Sequence, residues 1–130
     1  MEHIGINCHN FSESLKFYCG VLGLQQQDTV KYHDFSITYL GLPDGSRVEI
    51  FDYVQHKERT ETAESHIGYR HIAFEVDNLD EWEKHLRKNG VKIKMPATEM
   101  AELGVQGLLC EDPDGTVIEI CKLLKKSKQY

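Results

Sequence analysis

The sequence contains an internal duplication, in which two stretches of similar length carry the same residues in the same order. His3-Ile4-Gly5-Ile6 is repeated as His71-Ile72-Ala73-Phe74. The segment at residues 43–50, which starts with Pro-Asp-Gly and ends with Glu-Ile, is repeated at residues 113–120. Further matches in the same order are Asn10 with Asn78, Lys16 with Lys84 and Gly23 with Gly90. A chain that encodes one unit twice is expected to fold into two similar half-structures.

Composition narrows the class of protein. The chain has 130 residues, of which 40% are hydrophobic, enough for one compact domain made of two half-domains. Its net charge of −6 disfavours a nucleic-acid surface, which needs a basic face. It contains no run of 18 apolar residues, so neither a membrane span nor a signal peptide is expected. The four cysteines have no C-x-x-C spacing and are expected to be buried, reduced thiols. We therefore expect a cytoplasmic protein that binds a small molecule and does not bind membranes.

Each copy is predicted to follow the order β-α-β-β-β, with module 1–53 and module 69–123 joined by the polar linker 54–68 and followed by the basic tail 124–130. The linker is expected to be a solvated connector, with a lid over the polar face as the alternative. Asp80 with Glu83 resembles a capping box at the second helix start. Helices are predicted at 12–22 and 80–89, and strands at 2–8, 25–32, 35–41, 46–53, 69–77, 92–95, 105–111 and 116–123. The expected fold class is α+β.

Side-chain alternation along the strands predicts which residues share a face. Val48 and Ile50 flank Glu49, and Ile118 and Ile120 flank Glu119, so the apolar face is available to pack under a helix. The opposite face carries two histidines and two glutamates, at His3, Glu49, His71 and Glu119. Small residues beside the histidines make sense if this polar face curves into a cup.

Two imidazoles and two carboxylates at equivalent points of a duplicated unit predict a divalent-metal site. Two carboxylates balance the charge of a dication, and four protein ligands in an octahedron leave two positions open for substrate oxygens. Cys121 follows Glu119 on the same strand face and is expected to line the site. The remaining histidines are expected to be surface residues without metal partners: His9, His33, His56, His66 and His85.

The chain resembles the vicinal oxygen chelate superfamily over its whole length. The resemblance is carried by residues 3–6, by 14–24, by Gly68 to Asp77, and by Glu111-Asp112-Pro113-Asp114-Gly115 with the strand that follows. It implies a glyoxalase-like fold, in which paired βαβββ modules form a metal-holding cup, and a homodimeric protein.

Within this superfamily the pattern is most similar to glyoxalase I, which isomerises the hemithioacetal of a 2-oxoaldehyde and a thiol to a 2-hydroxyacyl thioester. The resemblance implies that His3, Glu49, His71 and Glu119 are the metal ligands. It also implies that Glu119 acts as the catalytic base and that Glu49 serves the second proton position. The metals implied are nickel, cobalt or zinc, with iron or manganese as alternatives.

Two departures leave the substrate open. Asn7 stands where the glutathione-using bacterial enzymes carry arginine, and the segment 95–107 lacks a lysine-bearing glycine loop. Arg47 and Arg70 are possible anchors for a substrate carboxylate, although both are expected to point away from the cup. Alternative functions on the same scaffold are a methylmalonyl-CoA epimerase-like isomerase, an iron-dependent dioxygenase, a thiol transferase, or a metal-free binding protein.

Overall fold

A computed structural model describes residues 1–59 and 65–124. The chain divides into two compact units, residues 1–61 and 62–130. Residues 60–64 of the linker and 125–130 of the basic tail lie outside the described residues, so the module, linker and tail boundaries stay predictions. No helix among the described residues is long and apolar enough to cross a membrane.

The first unit has the element order β-α-β-β-β. A short helix, α1, runs into a π-helical turn at Lys16–Val21. This turn was not predicted, because the apolar spacing does not separate α-helical from π-helical hydrogen bonding. The elements are β1 (His3–Asn7), α1 (Phe11–Leu15), β2 (Gln25–Lys31), β3 (Phe35–Gly41) and β4 (Arg47–Tyr53).

The second unit repeats this order, as the duplication predicts. The strand Ile93–Met100 (β6) differs most from expectation, because it has eight residues where only 92–95 was predicted. A short 3₁₀ turn at Ala101–Leu103 follows it. The elements are β5 (Ile72–Glu75), α2 (Leu79–Lys88), β6 (Ile93–Met100), β7 (Val105–Glu111) and β8 (Val117–Leu123).

The two sheets have the same topology. The strand order is β1-β4-β3-β2 in one and β5-β8-β7-β6 in the other. In each sheet the first strand is parallel to the last, and the other pairs are antiparallel. Gly5 pairs with Glu49, and Ala73 pairs with Glu119. The predicted α+β architecture of two βαβββ modules is confirmed, and it sets each histidine strand beside its glutamate strand.

The apolar strand faces form the cores, as predicted from alternation. Val48 and Ile50 in the first unit, and Ile118 and Ile120 in the second, are at most 1% exposed. Leu86 of α2 is also fully buried. The glutamate between each pair of buried residues therefore projects from the opposite face of its sheet.

Both helices start at an asparagine cap. The Asn10 side chain accepts a hydrogen bond from the Glu13 amide (3.1 Å), and Asn78 accepts one from the Glu81 amide (3.2 Å). The predicted capping box at Asp80 was therefore wrong by two residues. Glu83 instead accepts a hydrogen bond from the Ala97 amide (2.7 Å) and so joins α2 to β6.

An equivalent turn precedes the last strand of each unit. Gly45 and Gly115 have φ angles of 88° and 82°, which a glycine adopts without steric cost. Asp44 and Asp112 close these turns by accepting hydrogen bonds from the amides of Ser46 and Thr116. The matching turns bring Glu49 and Glu119 to the same register in their sheets.

Candidate metal centre

The first unit brings His3 and Glu49 together. The imidazole Nε2 of His3 lies 3.4 Å from the carboxylate Oε2 of Glu49. The Glu49 side chain is 11% exposed and that of His3 is 45% exposed. A carboxylate this far removed from water is stabilised by a neighbouring hydrogen-bond donor or cation. The pair is therefore suited to sharing either a proton or a metal ion.

Glu2 supports the His3 imidazole from its other side. His3 Nδ1 contacts the Glu2 carboxylate, and the tautomer that donates from Nδ1 would leave the Nε2 lone pair for a metal ion placed between His3 and Glu49. Arg47 donates to the same carboxylate through Nε (3.1 Å) and through an N–H of its guanidinium end. The hydrogen bond from His3, followed by that from Arg47, holds the pKa of the Glu2 carboxyl below its usual range. Such a carboxylate fixes the tautomer and orientation of a metal-binding histidine.

Arg47 lies on the same face of β4 as Glu49. Its guanidinium carbon is 4.6 Å from the centroid of the Tyr39 ring, and Tyr39 pairs with Glu49 across the sheet. The expectation that Arg47 points away was wrong, because residues two apart on a strand share a face. Its contacts with Glu2 and Tyr39 already occupy the guanidinium group, so it is not a ready anchor for substrate.

Gly5 leaves space on this face for an aromatic ring. A Cβ atom at Gly5 would lie 3.1 Å from the Phe51 ring. Phe51 stacks on Phe35, which stacks in turn on Tyr53. The absence of a side chain at Gly5 thus allows aromatic rings to lie beside the His3–Glu49 pair.

The second unit brings His71 and Glu119 together in the equivalent way. The Nε2 of His71 lies 4.0 Å from Oε2 of Glu119, and the two side chains are 26% and 19% exposed. Gly107 on the neighbouring strand leaves room for the carboxylate, since a Cβ there would lie 3.3 Å from Glu119 Oε1 and 2.9 Å from Met100 Cε. Sequence reasoning missed Gly107, although a glycine inside a strand is a recognised sign of close approach.

Cys121 lies beside Glu119, as alternation predicts. Burial, and then the charges of Glu119 and Glu75, raises the pKa of its thiol. The thiol therefore stays protonated and contributes a small apolar surface. All four cysteines are within the described residues and none forms a disulfide.

The spacing within each pair can be compared with metal coordination. Two ligand atoms bonded at about 2.1 Å to one ion lie about 3.0 Å apart at a right angle and about 3.4 Å apart at the tetrahedral angle. The His3–Glu49 separation of 3.4 Å matches this range directly. The His71–Glu119 separation of 4.0 Å requires the two atoms to approach by about half an ångström, which a side-chain rotation provides. The nitrogen and oxygen donors of both pairs fit a divalent ion.

A third group of possible ligands lies elsewhere in the first unit. His9, His56 and Glu58 each present a ligand atom within 4.8 Å of the others. His9 and His56 were expected to be surface residues without metal partners. Both are exposed, but the structure places them together with a carboxylate, which no sequence spacing had indicated. His33 does not belong to this group.

Comparison with known proteins identifies the family. Residues 1–120 match the family model of the "Glyoxalase/Bleomycin resistance protein/Dioxygenase superfamily". The chain belongs to this superfamily. The match covers both modules and confirms the predicted resemblance; members of this superfamily typically bind a divalent metal ion.

Individual relatives cover most of the chain. It is 30% identical over 127 residues to the uncharacterized protein YaeR of Escherichia coli, covering 92% of this chain and 93% of that one. It is 29% identical over 127 residues to a lactoylglutathione lyase of Neisseria meningitidis, covering 96% and 90%. The structure of a glyoxalase family protein from Enterococcus faecalis superposes with a TM-score of 0.80 at 26% identity, covering 93% and 95%.

Proposed function

We propose that this protein is a divalent-metal-dependent lyase of the glyoxalase I type. It would convert the hemithioacetal of a 2-oxoaldehyde and a thiol to a 2-hydroxyacyl thioester. The observation that carries the proposal is the equivalent pairing of His3 with Glu49 and of His71 with Glu119, at 3.4 and 4.0 Å. The similarity to a lactoylglutathione lyase supports the same reaction class.

His3, Glu49, His71 and Glu119 together would hold one nickel, cobalt or zinc ion, within one chain or between the two chains of a homodimer. When bound, the metal would supply Lewis-acid stabilisation of negative charge on two neighbouring substrate oxygens. Two glutamates balance the charge of the dication, and this lowers the free-energy cost of placing it in a partly buried site. Glu2 would keep the His3 Nε2 lone pair available to the metal.

The proposed reaction is an internal proton transfer. Glu119 takes the proton from the carbon that bears sulfur. Glu49 handles the proton at the adjacent carbonyl carbon, to which a proton is delivered. The hydroxyl proton passes to the neighbouring oxygen, so one carbon becomes a thioester carbonyl and the other carries the hydroxyl. Substrate and product are isomers, and no oxidant is consumed.

The surroundings of the two carboxylates support assigning the base role to Glu119. Its side chain is 19% exposed against 11% for Glu49, and its separation from the paired histidine is longer. Across the sheet, Glu49 faces Tyr39 and Glu119 faces Leu109, and the atoms nearest to a Cβ at Gly107 are Glu119 Oε1 and the flexible end of the Met100 side chain. A proton acceptor that must alternate between metal and substrate needs room to move.

The test begins with elemental analysis of the purified protein. The same sample is then depleted of metal, reloaded with nickel, cobalt or zinc, and supplied with methylglyoxal and a panel of thiols that includes glutathione. Formation of thioester is followed by ultraviolet absorbance. We expect activity only in the reloaded protein. Absence of turnover with every metal and thiol would contradict the proposal.

Substitutions of the two glutamates test their proposed roles in proton transfer. Glu119→Gln should lower kcat by roughly 10²- to 10⁴-fold, the usual contribution of a positioned base. Glu49→Gln should also abolish turnover; retained activity would favour an epimerase-like reaction. Glu102→Gln, an exposed glutamate, is the matched control. Oxygen consumption with ferrous iron and a catechol would favour the dioxygenase alternative.

A homodimer of the cytoplasm is part of the proposal. Light scattering of the metal-loaded protein tests the assembly. Mixing a His3→Ala chain with a His71→Ala chain tests whether the site is shared, because complementation restores activity only if the two pairs come from different chains.

A further inference from the structure

The surface group formed by His9, His56 and Glu58 has the composition of a metal site. The Nδ1 of His9 lies 3.6 Å from Glu58 Oε1, and the Nε2 of His56 lies 3.8 Å from the same oxygen. The two imidazole rings are in edge contact, with centroids 4.4 Å apart and an interplanar angle of 79°. One carboxylate oxygen thus faces both imidazoles at close range.

The backbone holds the two histidines near this position. His9 follows Cys8, whose amide donates to the Phe51 carbonyl (3.0 Å) at the end of β4. His56 comes two residues after Val54, whose amide donates to the Asp34 carbonyl (3.0 Å). The histidines therefore leave the carboxyl-terminal ends of the parallel strands β1 and β4, which are neighbours in the sheet.

This group is separate from the His3–Glu49 pair. His3 begins β1, whereas His9 lies two residues beyond its end at Asn7. The four steps along β1 from His3 to Asn7 alone span about 13 Å. One ion cannot be bound by both groups, so any metal at His9 and His56 would be additional to the one in the proposed catalytic site.

We propose that His9, His56 and Glu58 form a second divalent-metal site of the zinc type. Two imidazoles and one carboxylate are a common protein ligand set for zinc, with water completing the coordination. Ligand atoms on such an ion lie about 3.0–3.4 Å apart, so the 3.6 and 3.8 Å separations need only small side-chain rotations. The widest separation, within 4.8 Å, closes by about 1.4 Å through the same rotations.

Such an ion would tie the segment after β4 to the loop between β1 and α1. His56 and Glu58 lie in the connector between the two modules, while His9 lies directly before the cap of α1. The site would thus fasten the start of the connector to the first module. Binding of an ion at this site does not depend on the proposed reaction.

The experiment counts metal ions and locates them. Metal-free full-length protein is titrated with Zn²⁺ by calorimetry, and with Co²⁺ by visible absorbance. We expect two ions per chain in the wild type if the proposed catalytic site also binds metal, and His9→Ala/His56→Ala should lose one of them. Glu58→Gln should weaken that ion at least about tenfold, since even indirect partners of a ligand contribute that much. His33→Ala, which removes another exposed histidine, should leave binding unchanged.

A chain that lacks both histidines of the proposed catalytic site tests the second site independently of the proposed function. In a His3→Ala/His71→Ala chain we expect one remaining ion, which disappears when His9→Ala is added. The imidazole NMR signals of His9 and His56 should shift on Zn²⁺ addition in that chain, while those of His33 do not. Binding that is equal in the His9→Ala/His56→Ala and His33→Ala variants, or unshifted signals, would overturn the second site whatever the outcome at the first.

Discussion

Replacing Glu2 by glutamine tests whether the contacts around His3 orient it for metal binding. Glu2 receives the His3 Nδ1–H and two donors of Arg47, yet it is itself an exposed residue. Glutamine keeps the length of the side chain and one oxygen acceptor, but it removes the charge. The hydrogen bond to His3 becomes weaker, and the imidazole is free to rotate or to change tautomer.

The expected magnitude follows from this geometry. Losing the carboxylate partner of a metal-binding histidine typically lowers metal affinity by about 10- to 100-fold. At about 1.4 kcal/mol per tenfold this corresponds to about 1.4–2.8 kcal/mol of binding free energy. The fold itself should be nearly unaffected, because substitutions of exposed side chains usually change stability by less than about 0.5 kcal/mol.

The assay is a competition titration of the metal-free protein with Zn²⁺ and a chelator of known affinity, made alongside thermal unfolding without metal. Glu102→Gln is the control, because it removes the same charge from an exposed position in the second unit. If Glu2→Gln binds metal as tightly as the control does, Glu2 does not orient His3. If the Tm instead falls by many degrees, the contacts of Glu2 stabilise the fold, and the prediction that the substitution changes only metal binding is wrong.

Three other changes test separate features. If Glu119 is the base, Gly107→Ala should lower turnover about tenfold with the fold retained, because its Cβ would lie 2.9 Å from the flexible end of Met100 and 3.3 Å from Glu119 Oε1 and so displace the carboxylate; an unchanged kcat would contradict this. Leu86→Ala should destabilise the second unit by about 2–5 kcal/mol in urea unfolding, whereas Leu103→Ala, at an exposed position, should not. Burial raises the pKa of the Cys110 thiol to about 12, so the thiol's contribution to stability is complete below pH 9 and lost as the pH rises towards 12. Iodoacetamide at neutral pH should therefore modify Cys110 only in unfolded protein, as measured by mass spectrometry.

Much of the fold could be predicted because the sequence encodes the same structural unit twice. Alternation around Glu49 and Glu119 identified the buried and polar faces, since side chains on a strand alternate with a period of two. The repeated Pro-Asp-Gly turns located the last strand of each module. The asparagine caps at Asn10 and Asn78 carried an equally clear signal, an asparagine three residues before a glutamate, which the prediction at Asp80 overlooked.

The contacts between distant side chains could not be predicted in the same way. Glu2 and Arg47 meet because β1 and β4 are parallel neighbours, and a single strand's pattern contains no information on its partner's register. His9, His56 and Glu58 come from loops at two strand ends, where no periodicity indicates direction. Such clusters depend on the three-dimensional path of the loops, which the sequence pattern does not contain.

The two modules share a topology but differ around their glutamates, and the differences support distinct roles. Glu2 precedes His3 and contacts its Nδ1, whereas Arg70 precedes His71, so the first imidazole alone directly follows a carboxylate residue in the sequence. Opposite Phe51 in the first sheet stands Ile37, while the equivalent residue in the second is Gly107. The first imidazole is thus held by a neighbouring carboxylate, and Glu119 is the more exposed of the two glutamates, at 19% against 11%. Under the proposed function, this difference favours His3 and Glu49 as the firmer ligands and Glu119 as the base, because a base must be able to move between the ion and the substrate carbon.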